Sequence, residues 1–399
     1  MAGNTPFMNC ILKFAASTLL MLATGTVLSA SMMDEFIDPQ DGMFDASHWL
    51  AERKGFFPMP IIITEPAVGF GLGAGLLFLH DPLSGKTAEG ETFDPQNIDE
   101  QGRLIPPSVS GLFGAYTENG TWFLGGAHMG VWKNDNIRYL GALAQASANL
   151  KFYGLDSGSG SSSSGLEFNI EPTIFLQQIK FRLKDSDFFA GIEYLLLDST
   201  IEFDFLSSLP IEIPALKFDS RSASVSLLLD YDSRDTLFTP SSGLSARIKG
   251  SFYREAFGSD NEFEKYNAYL KYFFPLTDSL VLGLRGEYDT LNGRAPFYEY
   301  PFVNLRGIPA MRYQGENVAV GEAELRWNFT FRWSLILFGG VGATEGVDFV
   351  PGATDDSVYS RGVGFRYFVA RRFGAHAGVD IAKGPEDTAF YITFGQAWY

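Results

Sequence analysis

From Thr64 onward, hydrophobicity in this chain repeats every second residue, and that period constrains the fold more than any other feature. "VGFGLGAGLLF" places Val68, Phe70, Leu72, Ala74 and Leu76 on one face and Gly69, Gly71, Gly73 and Gly75 on the other. "SASVSLLLDYD" sets Val225, Leu227, Leu229 and Tyr231 against Ser222, Ser224, Ser226, Asp230 and Asp232. "SLVLGLRGEYD" sets Leu280, Leu282 and Leu284 against Arg285, Glu287 and Asp289, and "RFGAHAGVDI" sets Ala375, Ala377, Val379 and Ile381 against His376 and Asp380. Alternate residues of a strand share a side, so each segment is a strand with one apolar and one polar face. The fold class is all-β and antiparallel.

In a soluble sandwich the apolar face points inward. Two features favour the reverse. Several polar faces carry charges of both signs, as a wet lumen would. The segments run to roughly 10–13 residues, near the 9–11 a tilted strand needs to cross a bilayer. No stretch is long and apolar enough for a spanning helix. The remaining structure that satisfies its backbone in lipid is a closed barrel. The tight turns "TENG" (117–120), "LTDS" (276–279) and "ARRFG" (370–374) alternate with long connections at 81–106, 156–165, 204–217 and 345–357. Short turns at one end and long loops at the other mark an outer-membrane barrel. About fifteen segments are legible. Bacterial single-chain barrels have even strand numbers, so one strand is missing from that count, with "MPIII" (59–63) or "IEIPALKF" (211–218) as candidates. Sixteen strands are expected, fourteen being the alternative.

The first thirty residues read as an export signal. Lys13 precedes "FAASTLLMLATGTVL", a short apolar core, and small residues follow at 29–31. The organisation expected is a signal peptide at 1–30, a periplasmic segment at 31–57 with a short helix beginning near Asp45, and an outer-membrane barrel at 58–399. The sole cysteine, Cys10, would leave with the signal, so no disulfide or thiolate metal site is expected. A net charge of −17 argues against nucleic acid as a partner. Histidines at 48, 80, 128 and 376 form no recognisable catalytic set, and neither G-x-S-x-G nor H-E-x-x-H occurs. The acidic cluster Asp230, Asp232 and Asp235 lacks the glycine and terminal glutamate of a calcium loop. No enzyme activity, cofactor or metal is expected.

One long connection remains, from about 291 to 317, carrying "NLRGIPAMRYQG". Runs of that length without structure are functional or disordered. Its surroundings matter. "DSRDTLFTPSSG", with Asp232, Arg234, Asp235, Pro240 and Gly243, makes a turn three strands earlier, and five strand segments follow the loop. This order resembles the BamA/TamA-like outer-membrane superfamily, the bacterial surface antigens of outer membrane protein 85 type. The resemblance covers 220–399 in motif and 58–219 in architecture. It implies a loop folded into the lumen, with Arg306 and Gly307 as its lock motif. Gly307 permits a turn that a Cβ would obstruct, and the Arg306 fork suits a carboxylate. The family pattern places the partner at Glu324, with Glu322 beside it. The alternative is that these groups are simply solvated. The family's second carboxylate falls at Gly340, so the lock is expected to be weaker here or shifted onto Glu322. The glycines Gly69, Gly71, Gly73 and Gly75 are read as lying on the first strand, either loosening the seam with the last strand or admitting the folded-in loop. The terminal "AFYITFGQAWY" is read as an aromatic last strand.

The resemblance implies a role in outer-membrane biogenesis, either protein insertion and translocation or lipid transport. The expected partners are outer-membrane lipid and either unfolded outer-membrane proteins or a periplasmic delivery protein. Only about 27 residues separate signal from barrel, too few for a POTRA domain. The alternative is a passive channel or structural barrel plugged by 291–317.

Overall fold

The computed structural model describes residues 36–47, 55–80, 105–152, 166–203, 216–346, 356–371, 374–396 and 398. The signal region and most of the proposed N-terminal helix, including His48, lie outside them. Sixteen antiparallel strands pair strictly in chain order. They are β1 (Gly55–Ile63), β2 (Gly71–Leu79), β3 (Val109–Thr117), β4 (Trp122–Trp132), β5 (Ile137–Phe152), β6 (Leu166–Arg182), β7 (Phe188–Phe203) and β8 (Leu216–Asp232). The second half comprises β9 (Gly243–Tyr253), β10 (Phe263–Thr277), β11 (Leu280–Gly293), β12 (Asn317–Asn328), β13 (Trp333–Glu345), β14 (Asp356–Ala370), β15 (Ala375–Lys383) and β16 (Thr388–Phe394). The sheet curls into a nearly closed barrel, and among the described residues β1 and β16 share no ladder. The strand missing from the periodicity is β1, where Pro58 and Pro60 interrupt the alternation; proline is tolerated on an edge strand.

Sidedness follows the alternation. Leu227, Ile248, Leu284, Leu337 and Val363 are exposed on the outer wall, whereas Arg247, Lys249, Lys271, Arg285 and Arg366 are buried inside. Aromatic residues gather on the outside near the strand ends, for instance Trp333 against Phe365 and Tyr367, as at a membrane interface.

Strand parity corrects two assignments made from loop length. Leu79 pairs with Val109, and Gly55 with Leu79, at the end that also carries the β12–β13 and β14–β15 turns. The 81–106 connection therefore departs from this turn end, and "TENG" lies at the opposite, loop end. Each connection's end is fixed by its place in the antiparallel order, whatever its length.

The long strands β5–β8 reverse their sidedness part-way. On β7, Phe188, Ile192 and Leu196 face outward over about nine residues, and then Asp198, Thr200 and Glu202 take over that face. Outer ion pairs such as Arg221–Asp198 and Lys217–Glu202 mark the same level. Opposite them the inner face turns apolar, with Ile170, Ile174, Leu195, Leu197 and Ile201 in one buried cluster. A strand reaching beyond the bilayer meets water outside, so its apolar side turns inward to pack. The lumen is thus charged toward the turn end and apolar toward the loop end.

Two sequence assignments change at the strand level. The glycine stripe is not on the first strand: Gly71, Gly73 and Gly75 sit on β2, and Gly69 precedes it at φ +77°. At Gly71 and Gly73 a Cβ would run into β3, against Thr117 and Ala115, so these glycines serve β2–β3 approach and not a seam. The last strand stops at Phe394. Gly395, at φ +76°, turns the chain away, and Trp398 lies buried inside against Phe273 and Gly283.

Candidate functional site: a lumen plugged from both ends

Residues 294–316 dip from the loop end into the barrel. Tyr298 and Met311 are buried in the apolar cluster of β4–β7, with Phe297, Phe302 and Ala310 packed against it. Val303, Leu305 and Ile308 pack with Val318, Val320 and Val358 on the far wall. The apolar inner face of the protruding strands is therefore filled by the loop, which supplies much of the docking energy at roughly 25 cal/mol per Å² of apolar surface buried.

Polar contacts set the register. Arg306, 8% exposed, sits in a cage of three carboxylates. Its Nε and Nη2 donate to Glu322 Oε1 at 3.0 and 2.7 Å, Nη2 also to Glu324 Oε2 at 2.8 Å, and Nη1 to Asp380 Oδ2 at 2.8 Å. The guanidinium lies 3.4 Å above the Phe338 ring centre, so one face is covered by π density while its edge meets anions. The structure brings Arg306 together with Glu322 and Glu324 and adds Asp380 from β15. Asp380 is held by Arg366, at 2.6 and 2.9 Å, and Glu322 by Arg285. Gly307, at φ +86°, turns the loop beside Gly384, where a Cβ on either glycine would crowd the other's backbone; its N–H donates to Tyr391 Oη at 2.8 Å.

Gly340 stands beside this cage with a definite packing role. A Cβ there would lie 2.7 Å from Leu305 Cδ2 and 3.2 Å from Glu322 Cγ. The space of the family's second carboxylate is used by the loop itself, and the third anion comes from β15. The expected weakening from Gly340 is thus met by a different residue. Asp380 had a visible signal, as a lone acid on the polar face of a late strand. Its partner did not, because 74 residues separate it from Arg306.

A second ion pair ties the loop down. Glu299, 1% exposed, accepts from Lys265 Nζ at 2.9 Å. Tyr298 Oη is 2.8 Å from Ser220 Oγ, and Arg285 Nη1 donates to Asn304 O at 3.0 Å.

The turn end is filled from below by the β8–β9 connection. Asp232 holds Arg234 through Nε and Nη2 at 2.8 and 3.0 Å. Asp235 caps the turn by accepting from the Thr236 and Ser241 amides at 3.0 and 3.1 Å. Gly243, at φ +101°, passes where a Cβ would strike Ser233 O. Residues between these anchors cross the mouth. Arg326 Nη2 donates to Pro240 O and Ser241 Oγ, the His376 N–H to Thr239 Oγ1, and the Gln396 N–H to Phe238 O. This turn motif thus bonds to the strand carrying Glu322 and Glu324, a link of some 85 residues that no local pattern announces.

Among the described residues no three His, Cys, Asp or Glu side chains are placed to hold a metal ion. The buried ions instead form paired networks, such as Lys180 and Arg247 on Asp230 and Lys249 on Glu193.

An Omp85 superfamily domain matches residues 143–304. That stretch, from β5 into the lumen loop, is thus similar to the Omp85 superfamily domain. Solved structures agree in fold. BamA from Haemophilus ducreyi lacking POTRA domains 1–3 aligns with a TM-score of 0.54 at 13% identity, covering 86% of this chain and 69% of that one. CdiB from Escherichia coli aligns with a TM-score of 0.55 at 9% identity, covering 84% of this chain and 61% of that one. CdiB from Acinetobacter baumannii gives 0.55 at 9%, covering 85% and 60%. This chain therefore spans about three fifths of the length of either CdiB. No match was found among curated proteins.

Proposed function

We propose that this barrel is a member of the Omp85 superfamily and works in outer-membrane biogenesis, moving or inserting outer-membrane proteins or transporting lipid, with its N-terminus in the periplasm after signal cleavage. One observation carries the reading: the Omp85 match runs into a lumen loop that Arg306, just past the end of the match, clamps on Glu322, Glu324 and Asp380. A passive diffusion channel needs an open lumen, whereas here loop packing closes one end and the β8–β9 turn the other. Arg306 and Gly307 act as the clamp, and the turn of Asp232, Arg234, Asp235, Pro240 and Gly243 holds the opposite closure. The partners are membrane lipid and either unfolded outer-membrane proteins or a periplasmic delivery protein; the role involves no cofactor or catalysis.

The test is depletion. Cells lacking the protein are expected to lose specific outer-membrane proteins or lipid, and wild-type but not Arg306→Ala protein should restore them. A depleted strain with normal levels of every other outer-membrane protein and lipid would contradict the proposal.

A further inference from the structure

Residues 36–47 form a small hairpin outside the barrel wall, closed by the Ile37–Phe44 bridge and by the Asp45 N–H on Phe36 O. It straddles the rim at β13–β14. On one side Arg332, 2% exposed, is ringed by its acids. Nη2 donates to Asp38 at 2.6 Å, Nε to Asp41 at 2.5 Å and Nη1 to Asp45 at 2.7 Å. Arg371 Nε also reaches Asp38, at 2.8 Å. On the other side Tyr367, a residue of the lipid-facing aromatic row, donates its hydroxyl to Phe44 O at 2.7 Å. The Ala46 N–H on Val369 O completes the seat.

The outward surface is apolar. Ile37, Met43 and Phe44 are 48%, 39% and 38% exposed. The β12–β13 turn adds Phe329, 43% exposed, whose ring meets Trp327 and Phe365 on the outer wall, and Trp333 packs there against Phe365 and Tyr367. Carboxylates that would repel an anionic membrane are turned onto arginine, while the apolar side chains extend the girdle past the strand ends. Such a surface suits a headgroup layer, where apolar side chains gain by partial burial.

We propose that the 36–47 hairpin is a foot resting in the membrane interface, its partner the lipid surface and its hold on the barrel the Arg332 cage. The chain then leaves the barrel along the membrane plane and not beneath the lumen mouth, which stays with the β8–β9 turn.

The test places a polarity-sensitive fluorophore at Met43→Cys in the full chain carrying Cys10→Ala. The protein is reconstituted into phosphatidylcholine–phosphatidylglycerol vesicles. Leu337→Cys on the outer wall serves as the buried control. The expected result is blue-shifted emission that lipids brominated near the headgroup quench and iodide reaches poorly. Arg332→Gln should shift the emission red and restore iodide access; Asp41→Asn gives the same readout if the arginine variant does not fold. Emission of a water-exposed probe, indifferent to brominated lipid, would overturn the proposal. So would a probe that becomes dry only when a protein extract is added, which would make the partner a protein. Unchanged emission in both cage variants would remove Arg332 as the hold.

Discussion

Two arginines in this barrel solve the same problem in different surroundings. Arg306 and Arg332 are each ringed by three carboxylates. Arg306 is inside the wall, flat on Phe338, and two of its acids are shared with further arginines, Arg285 and Arg366. Arg332 stands at the rim, and its acids, Asp38, Asp41 and Asp45, all come from one short hairpin. The interior cage joins segments far apart in sequence and is embedded in packed side chains. The rim cage joins one appendage to one turn. The same chemistry thus yields a structural clamp in one place and a detachable latch in the other, because leaving the interior cage strands charges inside the packed wall, whereas undocking one short rim segment frees both sides of its cage to water.

The sharpest way to break this contrast is Arg306→Ala. Removing one partner of a buried pair costs about 3–5 kcal/mol, and the low end is expected because Glu322 and Asp380 keep Arg285 and Arg366. Loop proteolysis should become fast while the heat-modified gel shift of the barrel persists. Arg332→Gln should instead leave loop protection intact and expose only the hairpin to protease. Equal effects of the two variants on the loop would erase the distinction.

Next in size is Gly340→Asp, which restores the family's second carboxylate. Its Cβ would meet Leu305 at 2.7 Å, and overpacking costs about 1–3 kcal/mol. The midpoint of thermal unfolding should fall, and adding Leu305→Ala should recover part of it. A gain in stability from Gly340→Asp alone would show that the cage lacks an anion.

The smallest effect is on pH. Burial alone would raise Asp38, but the Gln40 amide and Arg371 and Arg332 outweigh it and hold the carboxyl below its usual value. Asp41 is lowered first by its hydrogen bond to Arg332. A lowered carboxyl stabilises the docked state at all pH above the free value of about 3.9, and that support is lost as pH falls through the lower docked value. Hairpin protection should therefore be flat across neutral pH and fail only in strong acid. Release near neutral pH would mean that other groups control the latch.

Much of the wall was legible because a strand writes its faces into alternate residues. Leu280, Leu282 and Leu284 announce a lipid face whatever lies across the barrel. Two things escaped that rule. Pro58 and Pro60 hid β1, since the signal of an edge strand is a lack of regular pattern. The reversal on β7 at Asp198 also went unseen, since alternation continues unchanged while the solvents on the two sides exchange. At the site, Arg306, Glu322 and Glu324 stood out by motif and strand face. Asp380, the Lys265–Glu299 pair and the Arg326–Pro240 link depend on barrel closure, which brings distant strands together without local trace. The terminal aromatics misled: Trp398 has the chemistry of a lipid-facing residue, but Gly395 turns it inside.

The central claim is that one buried arginine clamps the lumen loop in its closed position. Single-channel recording of the purified chain in planar bilayers measures this directly. Low, flickering conductance that rises to a steady level in Arg306→Ala is the expected result. A large, steady pore in the wild-type protein, unchanged by that substitution, would contradict it.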